Sequence, residues 1–168
     1  MTQELTQELT QELTPVLAID PGNNKSAYVV WNGKNILEMD KTYNTQLRMQ
    51  IPEIVRSFQV KESYIEMIVS YGMKVGGTVF DTCVAIGRFQ ELLSNHCVFR
   101  MVERKQVLKH HCGTVLSNDC GLRARLIEKY GEPGTKKNPG LLYGVTSDIW
   151  SAFAIAAMQT EIAKIKSL

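Results

Sequence analysis

The sequence has 168 residues and a mass of 18.9 kDa, a length that fits one domain with a core of its own. Its hydrophobic fraction of 44% and charged fraction of 21% are typical of globular proteins and exclude the disordered and fibrous classes. No apolar run is long enough to cross a bilayer, and the acidic, polar N-terminus is unlike a secretory signal. We therefore expect a cytoplasmic protein whose four cysteines are free thiols.

Positive charge is concentrated in one part of a chain whose net charge is only +2. Residues 104–137 carry eight Lys or Arg against three Asp or Glu, a net charge of +5. A basic segment of this kind indicates a polyanionic partner such as nucleic acid. From charge alone, a solvated helix face is an equally good interpretation.

The first fifteen residues differ from the rest of the chain. The tetrapeptide TQEL occurs three times, which places Leu5, Leu9 and Leu13 four residues apart, and Pro15 ends the segment. Three such repeats are too short for a solenoid or a coiled coil. We interpret residues 1–15 as an acidic tail, either a frayed helix or a disordered extension with no assigned function, and residues 16–168 as the folded domain.

Apolar periodicity predicts the elements of that domain in chain order. Residues 16–20 are typical of a buried strand, and residues 27–31 and 36–39 complete an antiparallel three-strand meander with a turn at Asn32-Gly33. Further strands are predicted at 64–69 and 97–101, and helices at 46–58, at 78–93 and from Ser147, as N-cap, to 166. Basic segments at 104–110 and 118–130 and a loop at 131–140 lie between the last strand and the last helix. The pattern predicts an α/β or α+β domain built on a mixed five-stranded sheet.

Carboxylates end or interrupt two of the buried strands, where an unpaired charge is costly. Asp20 ends the first strand, Glu66 lies within the fourth, and Asp148 comes at the start of the last helix. If the strands are neighbours, the three acids can converge at one edge of the sheet. They would repel one another there unless they shared divalent ions such as Mg²⁺ or Mn²⁺. The structural alternatives are a turn acid at Asp20 and a helix N-terminal acid at Asp148.

Several short motifs resemble the RuvC family of Holliday junction resolvases. Residues 18–22 (AIDPG) resemble the family's opening motif, residues 64–66 (YIE) its second acidic strand, and residues 148–156 (DIWSAFAIA) its last motif. Residues 71–77 (YGMKVGG), 87–89 (GRF) and 104–107 (RKQV) resemble the phage-encoded branch. The motifs follow the family's order over residues 16–160, so that the tail lies outside the resemblance.

The resemblance implies a ribonuclease H-like fold and a homodimer that acts on four-way DNA junctions with Mg²⁺, or Mn²⁺, two ions for each active site. The family's four acids map onto Asp20, Glu66, Asp148 and the position of Ser151, where this chain has a hydroxyl instead of a carboxylate. An alternative register makes Asp148 the fourth acid and Val145 the third, but the alanine pattern of residues 152–156 argues against it. Ser151 leaves two interpretations open, a weakened metal affinity or a junction binder that cuts poorly.

DNA contacts are expected from the basic segments and from the loop after the fourth strand. Lys105 is also a candidate catalytic residue, because a cation just past the fifth strand can offset charge on the scissile phosphate. Tyr71 is expected either to stack on an unpaired base or to fill the core. The predicted DNA-binding residues are Tyr71, Lys74, Arg104, Lys105, Lys109, Arg123 and Arg125, with Lys136 and Lys137 in the flexible loop.

The sequence therefore predicts a metal-dependent endonuclease that resolves four-way junctions and other branched DNA by paired nicking in a homodimer, in DNA recombination and repair. The alternatives are a non-catalytic or weakly catalytic junction-binding protein of the same fold, and another ribonuclease H-like nuclease. The helix at residues 78–93, with Phe80, Ile86 and Phe89, is the candidate dimer interface. Neither a membrane nor a small-molecule cofactor is expected as a partner, and a phage-encoded protein would act in the host cytoplasm.

Overall fold

A mixed sheet of five strands forms the centre of the fold. The computed structural model describes residues 13–166, so the first twelve residues of the predicted tail lie outside the described residues. The strands are β1 (Val16–Asp20), β2 (Lys25–Trp31), β3 (Ile36–Tyr43), β4 (Glu62–Met67) and β5 (Val98–Glu103), and they stand in the order β3-β2-β1-β4-β5. The pairs β3–β2 and β2–β1 are antiparallel, whereas β1–β4 and β4–β5 are parallel. The predicted meander with two added parallel strands is confirmed.

Helices cover both faces of this sheet. They are α1 (Asn44–Ser57), α2 (Gly77–Ser94), α3 (Arg104–Cys112), α4 (Asp119–Tyr130) and α5 (Ile149–Lys166). Buried side chains of α1 and α2 pack on one face, and those of α3, α4 and α5 pack on the other. Within residues 13–166, none of the helices has the length and apolar character needed to cross a membrane.

The central strand β1 is buried on both of its faces. Leu17 and Ile19 belong to the core beneath α1 and α2, whereas Val16 and Ala18 belong to the core beneath α5. This alternation follows from the two-residue period of a strand. It explains why the sequence of β1 is a continuous apolar run instead of an apolar–polar pattern.

The predicted N-cap of the last helix is wrong. An N-cap residue has an extended backbone, but Ser147 has a φ of +47° and lies in a turn. Its hydroxyl donates to Asp148 Oδ1 at 3.3 Å instead of capping the helix. The helix α5 begins at Ile149, and Asp148 stands directly before it.

Two of the three apolar residues predicted for a dimer interface on α2 are buried within the protein. Ile86 and Phe89 are buried at the sheet, because they lie on the same side of the helix as Ala85 and Leu93. Phe80 and Val84, in contrast, are 60% and 52% exposed. Only the exposed side of α2 remains available to a second copy of the chain.

The topology brings several chain segments to one edge of the sheet. β1, β3, β4 and β5 all end at this edge, because β1 is parallel to β4 and β4 to β5, while β3 pairs with the antiparallel β2. The helices α1 and α3 follow directly from β3 and β5 there. We call this edge, where Asp20 and Glu66 are found, the carboxyl edge.

Glu161 of α5 joins the three helices of one face. Its carboxylate accepts hydrogen bonds from Lys129 Nζ, at 2.7 Å, and from the Tyr130 hydroxyl, both at the end of α4. His110 Nε2 of α3 lies 2.7 Å from the same carboxylate. Burial alone would raise the pKa of Glu161, but these three hydrogen bonds outweigh it and lower the pKa to about 2.

We expect Glu161→Gln to destabilise the fold in a pH-dependent way. A carboxyl whose pKa is lowered on folding stabilises the folded state above its unfolded pKa, here 4.5, and that contribution is lost as the pH falls towards 2. At pH 7 the substitution should cost about 1.5–3 kcal/mol, the range for hydrogen bonds to charged groups. Thermal unfolding of both proteins between pH 3 and 7 measures the difference, which should shrink on the acid side. Exposed Glu132→Gln is the control, and an equal effect there would contradict the assignment.

Candidate active site

The register of the two parallel central strands places the first two acids side by side. Ile19 of β1 is paired with Ile65 of β4, so Asp20 and Glu66 are the next residues of neighbouring strands. Both isoleucines face α1 and α2, and the alternation of strand side chains therefore turns both carboxylates to the opposite face. That face carries α3 and α5, which begin with Arg104 and Ile149.

The ionised form of the Asp20 carboxyl is unusually unfavourable. Burial, and then the charges of Glu66 and Asp148, raise the pKa of Asp20 to about 8, while Arg104 and a hydrogen bond with Ser151 lower it only in part. All of the residues that shift the pKa of Asp20 had been named as candidate site residues from the sequence. The structure thus brings Asp20, Glu66, Asp148 and Ser151 into one electrostatic neighbourhood at the carboxyl edge.

Glu66 has a buried oxygen without a partner. Among the described residues, its Oε2 is the one buried side-chain oxygen or nitrogen that makes no hydrogen bond. Arg104 Nη1 lies 3.9 Å away, which is too far for a hydrogen bond. Burial raises the pKa of Glu66, Arg104 lowers it, and Asp119 raises it again. A buried carboxylate oxygen left in this state is costly and needs a ligand.

Arg104 is the cation at the centre of the site. Its guanidinium donates to Ser151 Oγ at 3.2 Å, pairs with Asp119 Oδ1, and faces Glu66. The guanidinium therefore occupies a position between two helices and the end of a strand. Asp119 was not predicted as a site residue, because the sequence places it inside a basic segment.

Asp148 is held by a lysine from a distant strand. Lys41 of β3 lies with its Nζ 2.5 Å from Asp148 Oδ2 and donates to Ser147 Oγ at 3.3 Å. Lys41 was missed by the sequence analysis. The predicted meander contained the signal, because a third strand that runs parallel to the first must end at the same edge of the sheet.

Tyr71 and Lys105 form an exposed pair beside the acids. Lys105 Nζ lies 3.4 Å from the centroid of the Tyr71 ring, and the Tyr71 hydroxyl donates to Glu103 Oε2 at 3.1 Å. Partial desolvation, this hydrogen bond and the charge of Glu66 raise the pKa of Tyr71. The ring is 46% exposed, so the alternative that Tyr71 fills the core is wrong.

The other predicted DNA-binding residues are more widely spread. Lys74 is exposed in the loop before α2, and Arg123 of α4 lies 5.0 Å from the centroid of the Trp150 ring. Arg125 is paired with Glu128 at 2.8 Å on the surface of α4. Lys109, near the end of α3, lines a separate cavity between α3 and α5. The structure therefore brings Arg104 next to the acids and places Lys105 on the ring of Tyr71, a residue on which the charge of Glu66 acts, but it does not bring Lys109 there.

The acids have the chemistry of a site for a hard divalent cation. Asp20, Glu66 and Asp148 offer carboxylate oxygens, one of them buried and unpartnered, which are the ligands that Mg²⁺ and Mn²⁺ prefer. Across residues 13–166, three other possible metal ligands have ligand atoms within 4.8 Å of one another, namely those of His110, His111 and Glu161, away from the carboxyl edge. Lys129 already pairs with Glu161 in that second group.

Comparison with known proteins gives matches only among solved structures. Neither the models of known protein families nor the curated proteins contain a match to this chain. RuvC of Thermus thermophilus is similar with a TM-score of 0.68 and 16% identity, over 90% of this chain and 96% of that one. Its complex with Holliday junction substrate gives a TM-score of 0.70 and 14% identity, over 91% and 96%.

A mitochondrial protein has the same architecture. The yeast mitochondrial Holliday junction resolvase Ydc2 is similar with a TM-score of 0.55 and 14% identity, over 88% of this chain and 76% of that one. The fold of this chain is RuvC-like. With its sheet order and flanking helices, the RuvC-like fold confirms the predicted ribonuclease H-like class. The phage-encoded type remains a prediction.

We expect Asp20→Asn to stabilise the protein when metal is absent. Because the pKa of Asp20 rises from 3.8 to about 8 on folding, the folded protein must take up a proton at this carboxyl at pH 7, which costs free energy; the amide has nearly the same shape and needs no proton. In EDTA at pH 7, the melting temperature should rise by a few degrees. A gain of about 1 kcal/mol in the free energy of unfolding corresponds to roughly 2–4 °C in a domain of this size. Asp81→Asn, on the exposed surface of α2, is the matched control. A lower unfolding temperature for Asp20→Asn would show that the carboxylate stabilises the fold.

Proposed function

We propose that this chain is a metal-dependent endonuclease that resolves four-way DNA junctions and other branched DNA by paired nicking, as a homodimer. The observation that carries the proposal is the buried, unpartnered Glu66 oxygen beside an Asp20 whose pKa is raised. Such an arrangement costs folding energy and is typical of a functional site. The RuvC-like fold, shared with a protein solved in complex with Holliday junction substrate, supports DNA as the substrate class.

Asp20, Glu66 and Asp148 are the residues that would hold Mg²⁺, or Mn²⁺. The metal, bound as two ions in our proposal, would supply Lewis-acid activation of the attacking water and stabilisation of the leaving oxygen. Asp20 is the residue most suited to be shared, because both of the other acids act on its pKa. Ser151 contributes a hydroxyl, without charge, at the position of a fourth acid.

The cations of the site have separate roles in this proposal. Arg104 and Lys41 compensate the carboxylates in the structure, at 3.9 Å from Glu66 and 2.5 Å from Asp148. Arg104 also donates to Ser151 and so orients its hydroxyl. Lys105 is exposed beside the acids, where its charge can approach a phosphate and offset the charge that develops there.

The proposed DNA surface lies around the carboxyl edge. Tyr71, Lys74 and Lys105 line one side of it, and Arg123 and Arg125 extend it along α4. Phosphate contacts of this kind position a duplex without reading its sequence, so we propose that the junction is recognised by shape. A two-fold symmetric junction is matched by a two-fold symmetric dimer, for which the exposed Phe80 and Val84 of α2 offer an apolar surface.

A second candidate function is a junction-binding protein that cuts poorly or not at all. Ser151 brings no charge to the site, Lys41 is already paired with Asp148, and the positive charge of Arg104 lies 3.9 Å from Glu66. Both features would weaken metal affinity. The two candidates differ in one measurement, the appearance of paired nicks in a labelled four-way junction incubated with Mg²⁺, Mn²⁺ or EDTA.

We expect Asp20→Asn and Glu66→Gln to abolish cutting and to preserve junction binding. The substitutions remove metal ligands and, at the same time, reduce repulsion of the phosphates. Cleavage should fall by at least about 100-fold, the scale of losing a main transition-state interaction, while binding measured in EDTA stays equal or becomes tighter. Glu91→Gln, exposed on α2, is the matched control. Undiminished cutting by either variant would contradict the assignment, and nick-free binding by the unmodified protein would favour the second candidate.

We expect Lys105→Ala and Arg123→Ala to weaken binding of all junction sequences alike. Each removes one phosphate contact, so the slope of log affinity against log salt concentration should become shallower by about 0.9 for each substitution. Binding titrations at several salt concentrations measure the slope. Lys61→Ala, directly before β4 and away from the carboxyl edge, should leave the slope unchanged. Normal slopes in both variants would mean that the DNA surface lies elsewhere.

A further inference from the structure

A cavity of about 610 Å³ opens between α3, α5 and the edge strand β5, and the proposed nuclease site does not use it. Its floor is apolar, with the buried side chains of Tyr64, Val102 and Met158. We call it the α3–α5 groove. The remaining lining residues are Arg100, Met101, Gln106, Lys109, His110, Gln159, Ile162 and Lys166.

The rim of the α3–α5 groove is positively charged. Arg100, Lys109 and Lys166 line it, and none of its lining residues is acidic. Arg100 makes one long ion pair, 3.8 Å from Glu62, and the other two form no ion pair within residues 13–166. An apolar floor with a cationic rim selects an occupant that carries both apolar side chains and negative charge.

Residues 1–12 of this chain have that composition. They contain Glu4, Glu8 and Glu12 and no lysine or arginine. Leu5 and Leu9 follow the first two glutamates directly, at the same four-residue spacing. At this spacing a helical segment would place its glutamates and its leucines on two adjoining stripes, which suits a groove with an apolar floor and a cationic rim.

The point where this segment joins the fold lies close to the groove. The side chain of Leu13 packs against Gly33, in the turn between β2 and β3, and Lys164 of α5 donates to the Gly33 carbonyl at 3.4 Å. Ile162 and Lys166, two residues before and after Lys164, line the groove on the other side of the same helix. A helix is about 10–12 Å across, and the four residues from Leu9 to Leu13 reach roughly 13–14 Å when extended, so Leu9 can lie across α5 from Leu13 while residues 4–9 are helical.

We propose that residues 1–12 bind in the α3–α5 groove of their own chain. Leu5 and Leu9 pack on the apolar floor, and Glu4 and Glu8 pair with the cations of the rim. The tethering makes this an intramolecular contact, so a modest interaction is sufficient to populate it. This proposal gives the TQEL repeat a role that is independent of the nuclease site.

Carbodiimide cross-linking tests the proposal directly, because it forms an amide only between a carboxylate and an amine that touch. An equal mixture of ¹⁵N-labelled and unlabelled protein at low concentration is cross-linked, digested and analysed by mass spectrometry. We expect links from Glu4 or Glu8 to Lys109 or Lys166 within one isotopic form. High salt should reduce their yield, since at 1 M the screening length is only about 3 Å.

Two tail variants separate specific docking from mere attraction. Leu5→Ser with Leu9→Ser keeps every carboxylate and every lysine, and should lower the yield of these links at least roughly fivefold, because two apolar side chains leave the floor. Thr6→Ser with Thr10→Ser is the matched control and should leave the yield unchanged. Neither pair alters the described core, so both variants retain the fold.

Three results would overturn the proposal. Links that join labelled to unlabelled chains would mean that a second copy supplies the tail. Equal yields to Lys136 and Lys137, in the exposed loop, would mean that attraction is unspecific. The absence of links to Lys109 and Lys166 would mean that the groove does not hold the tail. The experiment contains neither DNA nor metal, so its outcome does not depend on the proposed function.

Discussion

The parallel pairing of β1 with β4 decides where the two buried carboxylates of the site lie. Because Ile19 is paired with Ile65, Asp20 and Glu66 are adjacent, and both turn away from the face covered by α1 and α2. A shift of one residue in this register would send one carboxylate into an apolar core. The apolar side chains of β1 and β4 hold the register, so the packing of the core positions the acids.

The site combines buried negative charge with incomplete compensation. Arg104 and Lys41 each reach one carboxylate, yet the pKa of Asp20 remains raised and one oxygen of Glu66 has no partner. A fold selected only for stability would replace such groups with apolar side chains. In the proposed nuclease, a cation shared by the acids would relieve these unfavourable electrostatics.

The two faces of the sheet differ in composition. The α1–α2 face is an apolar core whose outer side carries the exposed Phe80. The opposite face contains the polar network of Glu161, the cavity between α3 and α5, and the cations of α3 and α4. α5 is the element that joins these parts, because it is packed on the sheet along most of its length and begins directly after Asp148.

The sequence by itself determined the strands, the helices α1, α2 and α5 and the three acids as site candidates, because these depend on local periodicity and on the cost of burying a carboxylate. The segments that form α3 and α4 were recognised only by their basic charge. The apolar run of β1 and the acid within β4 can be identified from the order of residues alone. The N-cap prediction at Ser147 was wrong: its backbone is left-handed, and its hydroxyl accepts a hydrogen bond from Lys41 of β3, a contact between residues too far apart in the chain for any local pattern to contain.

Only the tertiary structure decided which charges meet. Lys41 and Asp148 are far apart in the chain, and so are Arg104 and Ser151, yet each pair is in contact at the carboxyl edge. These contacts depend on strand order and on how α3 and α5 pack on one face of the sheet. Contacts between charged residues far apart in the chain leave no periodic pattern in the sequence, because they form only when packing of the core has brought the strand ends together.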